Sequence, residues 1–132
     1  MNFWAVLSAA ISAFVLGGVW YGPLFGKRWQ ALNDLSDEQI AAGNSGVIFG
    51  GAFVLTLITA FALAVLIGSP LLPEPSLVNG LVLGLGASIL LVATAFGINY
   101  LFALKPLALW WIDSGYMVLM FAVMGAILGA WG

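Results

Sequence analysis

PLALWWIDSGYMVLMFAVMGAILGAW, residues 106–131, holds the one charged side chain inside an otherwise apolar span, Asp113. Plotted at about 100° per residue, Asp113, Met117, Met120, Met124 and Trp131 fall on one face of a helix. Gly115, Ala122, Gly125, Ala126 and Gly129 fall on the opposite face. A helix with a carboxylate on one side and a groove of small residues on the other needs protein on both sides. The stretch is therefore expected at the centre of the molecule.

The rest of the chain supplies what surrounds it. Of the 132 residues, 64% are hydrophobic and 6% charged, and the mean hydropathy is +1.17. A water-soluble domain of this length has too little interior to hide so much apolar surface. Residues 1–26, 39–73, 75–104 and 114–132 carry no charged side chain. Each can hold the roughly 20 apolar residues that cross a hydrocarbon core about 30 Å thick. The pattern predicts an all-α fold: one integral-membrane domain, residues 1–132, built as a four-transmembrane-helix bundle. Its spans fall at about 3–22, 45–67, 76–102 and 106–131, with a short cytoplasmic interfacial helix between spans one and two. The N-terminus lacks a positive region and a small-residue cleavage site, so it reads as a retained first helix.

In span one, Ala9, Ala13 and Gly17 recur every fourth residue, a small-xxx-small seam suited to close helix packing. Trp20 and Tyr21 are expected at headgroup level, and Pro23 is expected to stop the helix. In the polar stretch that follows, Ser36 and Gln39 form a capping box flanked by Leu35 and Ile40, with Gly43-Asn44 as the helix stop. Trp29, Leu32 and Ile40 are expected to face lipid or bundle. Span two has Gly46 and Gly50, then Thr56, Ala60, Ala64 and Gly68; span three has Gly80, Gly84 and Ser88. Lys27, Arg28 and Lys105 all lie in the first and third connections. The positive-inside rule makes those cytoplasmic and both termini periplasmic.

Chemistry is bounded first by absence. With no Cys and no His, disulfides, thiol redox centres, His-ligated metals and His-based triads are excluded. No basic footprint for nucleic acid exists, and no metal or cofactor is expected. What remains is Asp113. A charge at the bilayer centre costs about 2.5–3.5 kcal/mol, so it needs a partner or a function. Asn99 and Tyr21 each precede a lysine by six residues, which puts them at about the depth of Asp113. The expected cluster is Asp113, Asn99 and Tyr21, joined by Tyr100 or Tyr116 and capped by Lys27, Arg28 or Lys105. Met117, Met120 and Met124 read as core packing, with an apolar-ligand face as the alternative. Trp110 and Trp111 read as an interfacial belt. Gly18-Val19-Trp20-Tyr21 and Gly97-Ile98-Asn99-Tyr100 hint at a tandem repeat of two hairpins.

Trp20-Tyr21-Gly22-Pro23-Leu24-Phe25-Gly26-Lys27-Arg28-Trp29 closely resembles the signature ending the first span in a bacterial four-helix membrane family of unknown function. Residues 97–102 and 112–116 also look like its third and fourth helices. The resemblance implies four spans and a bacterial membrane, and brings no activity. Two positions depart from it: Gly22, where the family often has Ser, and Met117, where it often has His. If those positions make a polar site in relatives, this chain has lost part of it.

The preferred function is a non-enzymatic structural or accessory membrane protein of the bacterial inner membrane. Its expected partners are the lipid bilayer and either copies of itself or a larger membrane complex. The alternative is a small proton-coupled transporter or channel that uses Asp113. An enzyme acting on a lipid or quinone ranks last.

Overall fold

The computed structural model describes residues 1–131. Among them there is no strand, and four helical spans are long and apolar enough to cross a membrane: Phe3–Leu24, Ser45–Ile67, Leu77–Phe102 and Leu107–Trp131. The protein is an integral membrane helical bundle.

Span one is α1 (Phe3–Val19) running without a break into a π-helical turn, Trp20–Leu24. The Asn2 side chain caps it by accepting from the backbone N–H groups of Trp4 and Ala5. Pro23 does not stop the helix as expected. It has no N–H to return to the Val19 carbonyl, and the ladder lengthens instead, Phe25 N–H donating to the Trp20 carbonyl at 2.9 Å. Gly26 is fixed by the same turn, because a Cβ there would stand 2.3 Å from the Tyr21 carbonyl oxygen.

The connection between spans one and two holds two short helices, α2 (Gly26–Leu32) and α3 (Asp37–Ala42), where one was expected. Asp34, at φ 54°, makes the left-handed residue that ends α2. Asp34 N–H returns to the Ala31 carbonyl and Leu35 N–H to that of Gln30, which satisfies two helix-end acceptors. The Ser36–Gln39 capping box opens α3 with both reciprocal bonds. Asn44 does not end α3. Its side chain accepts from Val47 N–H and begins the next span, α4 (Ser45–Ile67).

Span three is α5 (Leu77–Ala87), a second π-helical turn (Ser88–Ala93) and α6 (Thr94–Phe102). Its buried small residues step by four, Gly80, Gly84 and Ser88, then by five to Ala93. The extra residue of the π turn keeps small side chains toward the same neighbour, where a regular helix would turn Val92 inward. Leu104, at φ 57°, makes the tight turn into α7 (Leu107–Trp131).

The spans are arranged around α7, which packs against α1, α4, α5 and α6, and against α5 most extensively. Glycines set that closest contact. A Cβ on Gly80 would lie 2.0 Å from the Gly125 carbonyl oxygen, and one on Gly129 would lie 2.1 Å from that of Ser76. Backbone therefore meets backbone, which maximises dispersion contact where lipid supplies no hydrophobic drive between helices. On the other side, Ala5, Ala9 and Ala13 of α1 and Leu63 of α4 enclose Met120, Met124 and Leu128.

Candidate functional site

Asp113 sits seven residues into α7 and is 8% exposed. Its carboxylate joins three spans. The Tyr21 hydroxyl, presented by the π turn of span one, donates to Oδ1 at 2.6 Å. The Tyr100 hydroxyl, from α6, donates to Oδ2. These tyrosines close the paired sequence segments 18–21 and 97–100, and they arrive at opposite oxygens of one acid. Hydrogen bonds to an ionised oxygen are the stronger kind. Two donors also offset part of the cost of taking the acid out of water.

The remaining expected members are elsewhere. Asn99 is exposed. Depth alone put it with Asp113, but helical azimuth decides the outcome. Gly97 is the residue covered by the Trp110 ring, and Asn99 stands about 200° around the helix from it. Lys27, Arg28 and Lys105 are also exposed, and the acid's two oxygens are occupied by tyrosines instead. Tyr116 is buried nearby but donates to the Ala13 carbonyl of α1 at 2.8 Å. Its ring meets that of Tyr21 edge-on, with centroids 5.3 Å apart.

Around the clasp, indole N–H groups reach helix carbonyls on other spans, a role the sequence reading missed. Trp20 Nε1 donates to the Ile112 carbonyl at 3.0 Å and Trp110 Nε1 to the Ala93 carbonyl at 2.9 Å. The signal was present in each case as a glycine opposite the ring. A Cβ on Gly115 would come within 3.1 Å of Trp20, and one on Gly97 within 3.3 Å of Trp110. Trp110 thus faces the bundle, while Trp111 is exposed. Gly17 leaves room for the Tyr116 hydroxyl, which would lie 2.8 Å from a Cβ there. Of the methionine face, Met120 and Met124 are buried in the core, Met117 is partly buried against it, and Trp131 is exposed. Ser114 is buried, and its hydroxyl finds no hydrogen-bond partner among the described residues.

The site is an acid held by two phenols, with indole and phenol donors tying α7 to its neighbours above and below. Such an arrangement can fix helix register, or hold a proton on the carboxyl group. Gly22, on the outer side of the π turn, has open space where a side chain would stand.

Comparison with curated proteins and with solved structures finds no match. The sequence model described as "Protein of unknown function (DUF1761)" matches residues 4–129, nearly the whole chain, and the protein belongs to that family of four-span membrane proteins.

Proposed function

We propose that the protein is a non-enzymatic structural or accessory component of the bacterial inner membrane, one that self-associates or packs onto a larger membrane complex. The observation that carries this reading is the closed clasp at Asp113. With Tyr21 and Tyr100 on its two oxygens, the one intramembrane acid joins three helices and is not paired with a nucleophile. The first half of α4 offers a surface for association. Every residue from Ser45 to Ala52 is exposed, and nothing lies within 4 Å of a Cβ built on Gly50 or Gly51. Gly46 and Gly50 continue the small-xxx-small pattern on this surface. The 24–44 segment and Lys105 are assigned to the cytoplasm and both termini to the periplasm, because the three cations share one end of the bundle.

The chain has no cysteine, so Gly50→Cys gives a single reporter. Oxidation in native membranes is expected to give a disulfide-linked dimer, or mild-detergent purification a stable co-purifying protein. A monomer in both experiments would overturn the reading. A second reading, a proton-coupled transporter or channel, is favoured by one observation: an acid within a membrane span is a functional group by default. It requires Asp113→Asn to fold and to lose ligand-linked proton release. Unchanged release would remove it.

A further inference from the structure

A groove of about 300 Å³ opens between α4 and the π turn of span three, away from the Asp113 clasp. Thr59, Ala62 and Leu66 form one wall, Leu91 and Val92 the other, and Phe121 of α7 lies between them. It exists because α4 and α5 diverge and meet only weakly, while both pack on α7. The π turn contributes directly, since Leu91 and Val92 belong to it.

Three features select the occupant. All the lining residues lie within the membrane spans, so the groove opens on hydrocarbon. The one hydroxyl in the lining, on Thr59, already donates to the Leu55 carbonyl at 3.0 Å, so the walls ask for no polar partner. Size then decides. One turn of helix with its side chains, about 10 Å across and 5.4 Å tall, fills roughly 420 Å³, more than the groove offers. A flexible chain of about ten methylene groups fits, each taking about the 30 Å³ of a liquid water.

We propose that this groove holds one acyl chain of a phospholipid as a resident ligand, distinct from the lipid that sweeps the outer faces of the bundle. Residence follows from contact on three sides. A chain against a single helix face touches protein on one side only, whereas here α4, the π turn and Phe121 all supply dispersion contacts. The chain completes the packing that α4 and α5 do not make with each other.

The test uses the full chain in bilayer nanodiscs of phosphatidylcholine doped with a phosphatidylglycerol that carries a diazirine at mid-chain. After photolysis, labelled peptides are mapped. Labelling of residues 58–66 and 87–92 is expected to saturate at low probe fraction, and unlabelled phosphatidylglycerol should compete it away. Labelling around Val82, exposed on span three, should rise in proportion to probe. Ala62→Phe on one wall, and independently Ala87→Phe on the other, should lower groove labelling several-fold and leave the Val82 region unchanged. Groove labelling that rises in proportion to probe like that around Val82 would reduce the groove to ordinary annular contact and overturn the proposal. Absence of groove labelling alongside normal labelling at Val82 would mean that protein covers it, and would overturn the proposal equally.

Discussion

Two spans of nearly equal length, α4 with 23 residues and α7 with 25, take opposite places in the bundle. In α7, 56% of the most apolar stretch is buried; in α4 the share is 17%. The more apolar of the two is the more peripheral. In water the ranking would run the other way. In a bilayer, lipid solvates Leu, Val and Ile as well as protein does, so apolar side chains give no preference for the interior. What draws a span inward is a group that lipid cannot satisfy, such as Asp113, or a small residue that lets another backbone approach, such as Gly125.

The sharpest way to break this comparison is to make one substitution in both spans. Gly125→Ala places a Cβ 2.2 Å from the Gly80 carbonyl oxygen, so α5 and α7 must separate. The expected loss is about 1–3 kcal/mol or more of unfolding free energy, measured by steric trapping or by denaturation in detergent. Gly50→Ala meets open space. It should leave the fold unchanged or raise stability by up to about 1 kcal/mol, as glycine is the poorer helix former. Equal losses at the two positions would remove the distinction between central and peripheral spans.

Next in size is the acid. Asp113→Ala strands the Tyr21 and Tyr100 hydroxyls and is expected to cost about 1–3 kcal/mol. Tyr21→Phe and Tyr100→Phe should each cost about 0.6 kcal/mol, at most about 1.7. Each tyrosine change should lose its effect in an Asp113→Ala background, which a double-mutant cycle reads directly. The smallest effects sharpen the site's boundary. Asn99→Ala should fall within about 0.5 kcal/mol of zero. Ser114→Ala should be neutral or stabilising, because it removes a buried hydroxyl that has no partner among the described residues. A loss above 1 kcal/mol at Asn99 would redraw the clasp.

How far these features could be read from the chain follows the same physics. The four spans were legible because length and apolar content alone specify them, and the centrality of α7 because Asp113 and its small-residue face announce it. Tyr21 and Tyr100 were reached by counting depth from the lysines, and Asn99 was reached wrongly by the same count. Depth is a property of one residue, whereas azimuth depends on the whole helix above it. The π turns were hidden for a related reason. Pro23 carries the same signal whether a helix ends or re-phases, and only the surrounding packing decides which. In span three the signal existed as the five-residue step from Ser88 to Ala93, visible once the neighbour they face is known. The indole bonds from Trp20 and Trp110 needed the partner helix to be in place, since a backbone carbonyl has no sequence signature.

The claim on which the rest depends is that α7 is central because its acid is held by phenols from two other spans. Solid-state NMR of the carbon-13-labelled protein in bilayers tests it directly, and with 3 tyrosines and 5 acidic residues in the chain the signals are assignable. The expected spectrum shows cross-peaks from the Asp113 carboxyl carbon to the phenol carbons of both Tyr21 and Tyr100. Cross-peaks from that carbon to lipid acyl chains, with neither tyrosine in contact, would contradict it.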